Sequence, residues 1–448
     1  MAWTTLTLQV TTPLFNGGAD PDGSAGFRPD PEAGIRVASI RGAMRFWFRA
    51  LAGVLTGPDL PLLAALERRV FGGVSGQHGN ESAVSSPLIL RLPDPPRTSL
   101  DASFLRSGRW LGYLLGLGLM KPERGEVRLL RPYVRPGGDP FELKIRFAHD
   151  RNADPATRQA IEVLAFASLW LTCAYGGLGA RTRRGFGGLR IVDASGDLPR
   201  PWSPKAIQTP GLGLYESGEW LWPWSSSVFS VFQQHLRELI AAEHGSSGEP
   251  DQWTEPPPYP VLSRRYSPTA LAARPFGSWE AALDYAGQQL RLFRANRPSE
   301  ENRRRQARVR TAEWDDVINV INRDSADFPL GALGLPVGYH DKLTERKFVV
   351  NAVIPRGREH EELRRASPLW LRPVGSGNSW RLFTFAFQTR FLPGPAAARV
   401  YLLPDVQATR DGWHDDELSV DPGDIEHLTT QWMNAMRSGR DFTTVIRD

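Results

Sequence analysis

The chain has 448 residues, with 54 Lys+Arg against 49 Asp+Glu and a formal charge of +5. That length holds two or three domains with sizeable cores, and a hydrophobic fraction of 41% excludes a wholly disordered chain. Cys173 stands alone, which excludes an internal disulfide framework and a Cys-based zinc site.

At the N-terminus there is neither a basic region nor a continuous apolar run, so no signal peptide is expected. The longest apolar stretch, residues 163–175, is too short for the roughly 20 residues of a membrane span. A cytoplasmic protein without a membrane partner is expected.

Residues 3–10 alternate, with Leu6, Leu8 and Val10 on one side, and predict a half-buried strand. A loop follows over residues 16–34, long for a connection inside a compact domain and therefore functional or mobile. Ser39 is the expected N-cap of a helix over residues 40–55, whose apolar stripe is Ile40, Met44, Trp47, Phe48, Leu51 and Leu55. Residues 88–92 predict a strand. Asp154-Pro155 opens a second, mostly apolar helix reaching residue 174. A Gly-rich loop and a strand over residues 188–192 complete a first domain, residues 1–195. This order suits an α+β fold of the ferredoxin type, with helices on one face of an antiparallel sheet.

Residues 195–227 are rich in Pro, Gly and Trp, and residues 244–260 read as an exposed loop. Helical spacing returns at residues 228–243 and, strongly amphipathic, at 278–297. A basic helix is expected over residues 302–322, strands at 380–392 and 400–403, and a last helix near 425–436. Residues 196–448 therefore form a second α+β domain.

Of the 54 basic residues 49 are Arg, the side chain that forks onto phosphates and stacks on bases. Residues 1–195 carry a net charge of +7 and residues 196–448 a net −2, so a polyanion site is sought in the N-terminal half. Arg41, Arg45 and Arg49 share one stripe of the first helix, with no acidic residue between 35 and 57. Two alternatives stay open for them: a solvated face, or pairing with acids that the fold brings close. The loop GGLGARTRRGFGG (residues 176–188) interleaves Gly177, Gly179 and four further glycines with Arg181, Arg183, Arg184 and Phe186. Glycine lets a backbone approach a ligand, Arg adds charge, and Phe186 offers a ring to a base. It lacks the GK[ST] of a phosphate-binding loop and, lying after a helix and before a strand, is not a dinucleotide fingerprint. Arg303, Arg304, Arg305, Arg308 and Arg310 read as a solvated helix face, and Arg364 with Arg365 as a helix end.

Signals for catalysis are weak. None of the eight His pairs with another at metal-ligand spacing, HEELR at His360 is not HExxH, and His78 sits in a loop. Asp20, Asp22 and Asp30 in the first loop are placed to assist a metal or a general base, but beside Gly and Pro they also suit turns.

Several stretches together resemble one family: TTPLFNGGAD from residue 11, IRVASIRGAMRFWFRAL from 35, ERRVFGG from 67, GGLGARTRRGFGGL from 176, SWEAAL from 278, LGLP from 333 and RRASPLWLRP from 364. They are similar to the first Cmr subunit, a two-domain RAMP protein of type III-B CRISPR–Cas effector complexes. The resemblance implies two RRM-like (ferredoxin-like) domains and a role in antiviral defence. It implies a subunit near the 3′ end of the guide RNA that holds guide RNA and single-stranded target RNA, with other Cmr subunits as partners. No catalytic residue, metal or cofactor is implied, because in related complexes an Asp of a repeated backbone subunit cuts the target. RNA contact is carried over to Arg41, Arg45 and Arg49 and to the Gly loop, here Gly177, Gly179, Arg181, Arg183, Arg184 and Phe186. It extends to Arg364 and Arg365, and to Asn16, Gly17 and Gly18 after the first strand. The alternative is a RAMP-family endoribonuclease using Asp20 and Asp22. Residues 244–260 and the acidic segment after 405 match nothing in the family pattern.

Overall fold

A computed structural model describes residues 3–17, 34–75, 82–116, 118–123, 126–149, 153–209, 215, 227–243, 245, 248, 253–294, 327–340, 347–356, 359–394, 396–404 and 417–442. The first strand, β1 (Thr4–Val10), alternates buried and half-buried residues as its sequence requires. The helix α1 (Val37–Thr56) buries the whole apolar stripe from Ile40 to Leu55. It starts earlier than the composition suggests: Arg36, not Ser39, is the N-cap, with an extended backbone and no side-chain cap. The Ser39 hydroxyl is otherwise engaged, accepting from Asn16 Nδ2 at 3.0 Å.

A second helix, α2 (Leu60–Phe71), follows at once, capped by the Asp59 carboxylate accepting from the Leu62 amide at 2.9 Å. Then come β2 (Leu88–Arg91), β3 (Phe141–Phe147), α3 (Pro155–Ala174) and β4 (Leu189–Ser195). Asp154 caps α3 through the Thr157 amide at 2.9 Å, as its Asp-Pro start predicts.

The sheet order is β4-β1-β3-β2, and every neighbour pair is antiparallel. With α1 and α3 as the two crossovers this is the ferredoxin-like βαββαβ arrangement. The core beneath the helices holds Trp47, Phe48, Phe166 and Leu169 from the helices and Leu6, Leu143 and Ile191 from the sheet. The chain beyond β4 continues this core. Helix α4 (Ser227–Ala242) packs on α3 and contributes Phe232, Leu236 and Leu239, joined by Trp202, Ile207 and Trp253.

The second domain opens with β5 (Thr269–Phe276) and α5 (Trp279–Arg294). After a short 3-10 turn (Pro329–Leu333) come β6 (Val337–His340), β7 (Lys347–Arg356) and β8 (Glu359–Leu363). It then forms the hairpin β9 (Leu369–Ser376) and β10 (Ser379–Ala386), strands β11 (Arg399–Pro404) and β12 (Glu417–Leu418), and helix α6 (Gly423–Ser438).

Strands β5, β10 and β9 are antiparallel neighbours in that order. These are strands one, three and two of a second ferredoxin-like unit, with α5 and α6 as its helices. The other strands, β6, β7, β8, β11 and β12, build a separate five-stranded sheet with its own small core of Phe328, Leu335, Val350, Ala352, Val400, Leu402 and Leu418. It is assembled from two excursions of the second unit. Arg364 and Arg365 therefore follow a strand, β8, and not a helix: Glu359–Leu363 pairs with Ala352–Arg356 and extends the backbone. The basic helix expected at residues 302–322 lies outside the described residues. Among the described residues no helix is long and apolar enough to cross a membrane.

Candidate nucleic-acid interface

The Gly loop joins the C-terminus of α3 to β4. Its two legs pair through the Leu178 amide on the Gly187 carbonyl at 2.9 Å, and its tip is a tight turn in which the Arg184 amide meets the Arg181 carbonyl at 2.8 Å. One side rests on the segment after β1: Gly187 donates to Pro13 at 2.8 Å and Ala180 to Phe15 at 2.6 Å. The other side meets the second domain, where the Leu371 amide of β9 donates to the Arg183 carbonyl at 3.0 Å. The loop is thus clamped in the seam between the two ferredoxin-like units.

This packing changes the reason for its glycines. Gly179 has φ +83°, and a Cβ there would stand 2.1 Å from the Phe15 carbonyl oxygen. A Cβ at Gly177 would stand 2.6 Å from the Gly187 oxygen. Both are required by chain crossing chain, not by an open approach for a ligand. Phe186 is likewise reassigned. It is 1% exposed and packs edge-to-face on Phe15 at 6.0 Å, so its ring is core and not a platform for a base.

The arginines of the loop tip stay available in charge. Arg181 is the one non-glycine residue with positive φ (63°) among the described residues, and its Nε donates to the Leu115 carbonyl at 2.8 Å. Arg184 donates to the Leu114 carbonyl at 3.2 Å. The two converge on Gly116, where an added Cβ would lie 3.1 Å from Arg181 Nη2 and 3.8 Å from Arg184 Nη1. Arg183 donates to the Ser367 carbonyl at 2.6 Å and lies over the Trp370 ring at 5.2 Å. Arg365 donates to the carbonyls of Arg390 and Phe391 and lies over the Phe391 ring at 5.0 Å. Arg364 is exposed.

Among the described residues none of these five guanidiniums pairs with a carboxylate. Burial lowers the pKa of Arg183, Arg184 and Arg365 to about 10, with Arg181 pressing further on Arg184 and Arg183 on Arg365. Burial also lowers that of Arg181. At neutral pH these four are still cations. Arg181, Arg183, Arg184 and Arg365 are thus charged donors held on carbonyls and rings, with no carboxylate partner among the described residues.

The stripe on α1 is arranged differently. Arg41 donates to the Leu88 carbonyl at 3.2 Å. Arg45 Nη1 meets Glu67 Oε1 at 3.1 Å, and Arg49 Nη1 meets Glu67 Oε2 at 2.9 Å. Arg45 also donates to the carbonyls of Phe71 and Gly72, at 2.9 and 2.7 Å, where α2 ends. The acid that the helix itself lacks comes from α2, and one carboxylate serves two guanidiniums.

At the mouth of the first loop, Asn16 is buried and donates to the Gly34 carbonyl and to Ser39, while Arg36 donates to the Gly17 carbonyl. These contacts tie the loop's two ends together. Gly18, Asp20, Asp22 and Asp30 lie outside the described residues, as does His78.

Glu67 and Arg372 carry structural weight that no sequence pattern singled out. Arg372 of β9 is 6% exposed and enters the first domain. Its guanidinium donates to the carbonyls of Gly176 and Cys173 and, at 2.8 Å, of Leu189. It closes the C-terminal end of α3 and fixes both roots of the Gly loop. Its traces in the sequence were a charge inside the apolar strand LWLRPV and its place in the stretch RRASPLWLRP.

Residues 7–190 match the RAMP superfamily. Among curated proteins of Pyrococcus furiosus, the chain is 30% identical to CRISPR system Cmr subunit Cmr1-1 over 164 residues, 37% of this chain and 42% of that one. It is 28% identical to Cmr subunit Cmr1-2 over 192 residues, 41% of this chain and 92% of that one. The chain thus spans less than half the length of the first of these relatives. Among solved structures, that of Cmr1 from Pyrococcus furiosus in its apo form is 20% identical, with TM-score 0.46 and 97% of each chain covered. A chain of the type III-B Cmr-beta complex bound to cognate target RNA is 13% identical, with TM-score 0.44, covering 96% of this chain and 99% of that one. Residues 7–190 thus form a RAMP superfamily domain, in a chain similar in sequence to the first Cmr subunit.

Proposed function

We propose that this chain is a non-catalytic RNA-binding subunit of a type III-B CRISPR effector complex, which holds guide RNA near its 3′ end together with the paired target RNA. The supporting observation is the group of guanidiniums at the domain seam, Arg181, Arg183, Arg184 and Arg365 with Arg364 beside them, none paired with an acid among the described residues. Phosphates are the natural counter-ions for such a group. Contacts of this kind are indifferent to base identity, as a subunit that must accept any guide requires. The α1 arginines extend the basic surface with one carboxylate among three cations.

The test is a binding assay of the full chain with labelled single-stranded RNAs of differing sequence, at two salt concentrations, with and without Mg²⁺ or Mn²⁺. The expected result is intact RNA, little base preference, and affinity that falls steeply with salt. Combining Arg45→Glu with Arg183→Glu weakens binding tenfold or more, about 1.4 kcal/mol. A folded double variant with unchanged affinity overturns the site. Cleaved RNA overturns the non-catalytic role and directs attention to Asp20 and Asp22.

A further inference from the structure

Helix α1 contains two glycines away from its ends, and the structure explains only one of them. A Cβ on Gly53 would fall 2.8 Å from the Tyr259 ring and 2.9 Å from Val261, so that glycine is imposed by packing. Gly42 is exposed, and a Cβ there would meet nothing within 4 Å. A glycine inside a helix destabilises it relative to alanine, through backbone entropy. Nothing within the described chain gains from that loss at Gly42.

Its neighbours are charged. On a helix, positions three and seven residues further on return to the same face. Gly42 therefore shares its face with Arg45 and Arg49, and Arg41 is its chain neighbour. Arg45 and Arg49 share the carboxylate of Glu67, so among the described residues this face keeps a net positive charge.

We infer that Gly42 is a contact residue for the RNA proposed above: the missing side chain lets a sugar–phosphate segment lie directly on the α1 backbone between the flanking guanidiniums. This rests on the RNA-binding reading and deepens it, because it places the strand on the N-terminal half of α1 and names a residue without charge as part of the site. The bare face serves close approach, and the arginines on either side hold the phosphates.

The experiment compares wild type, Gly42→Ala and Gly42→Leu in the full chain, by thermal unfolding and by equilibrium binding of single-stranded RNA. Both variants replace glycine by a stronger helix former, so each is expected to raise Tm by about 1–3 °C. Affinity is expected to fall with side-chain size, slightly for alanine and about tenfold for leucine. Stability and binding thus move in opposite directions, which a misfolded variant would not show. If wild type binds RNA and Gly42→Leu binds it equally well, this inference fails while the RNA-binding reading survives. If wild type itself does not bind, the reading fails and takes this contact with it.

Discussion

Cys173 lies at the end of α3 with its side chain fully buried, beside the Arg372 guanidinium. Burial pushes its thiol up to about 12, and the nearby guanidinium pulls only weakly the other way. The neutral thiol is neither a nucleophile nor a metal ligand. Because it is the lone cysteine of the chain, it reports on unfolding. The native chain is expected to show no reaction with a disulfide reagent at pH 8, and one reactive thiol in denaturant.

The sign of the pH effect follows from linkage. The folded pKa exceeds the unfolded one, so the unfolded chain binds fewer protons above about pH 9. Stability therefore falls as pH rises from about 9 towards 12. Comparing urea midpoints at pH 8 and pH 10 should show a loss on the order of 1 kcal/mol in wild type that is absent in Cys173→Ala. An equal loss in both proteins overturns this assignment.

At the scale of elements, α1 and α2 are locked by an acid of α2 that α1 lacks. Glu67 Oε1 and Oε2 bind Arg45 and Arg49 separately, and Arg45 also closes the end of α2. Glu67→Gln removes the only carboxylate paired with the α1 stripe among the described residues. It is expected to lower stability by about 1 kcal/mol, since both arginines are partly solvated, and to raise RNA affinity about two- to threefold by freeing positive charge. Unchanged affinity with reduced stability would assign the stripe to helix packing alone.

The same elements show what was legible beforehand. Helices α1, α3, α4, α5 and α6 were readable because each carries an apolar face at helical spacing, and α3 in addition a capping Asp-Pro. Helix α2 was passed over although it carries the same signals: an Asp59 cap, Pro61 in the first turn, and Leu62, Leu63, Leu66 and Val70 at helical spacing. The Gly loop was located correctly and misread in part. Glycine density is the same whether a loop wraps a ligand or threads between packed chains, and only the contacts of Gly179 with Phe15 and of Phe186 with the core separate the two. The five-stranded sheet was invisible for a related reason. Its strands come from two excursions far apart in sequence, and their pairing is set by the hairpins that flank them.

Over the whole molecule, the two ferredoxin-like units meet at a polar seam rather than a purely greasy one. Besides the Leu371–Arg183 backbone bond, the Asp284 carboxylate accepts from the Trp110 amide at 2.6 Å, and the guanidinium of Arg372 crosses from one unit to three carbonyls of the other. These carbonyls belong to Cys173, Gly176 and Leu189, which are the roots of the Gly loop, so Arg372 couples docking of the second domain to the shape of the proposed anion site. Arg372→Met fills similar space but leaves the three acceptors without their shared donor. It is expected to cost about 2–4 kcal/mol, seen as a lower urea midpoint. It should also weaken RNA binding, because Arg183 is held against Ser367 and Trp370 of the second unit. Arg372→Lys does not restore either property, since an ammonium lacks the planar fork that reaches several carbonyls at once. A wild-type midpoint in Arg372→Met would mean that apolar packing alone holds the units together. Reduced stability with full RNA affinity would separate the seam from the binding surface and leave α1 as its centre.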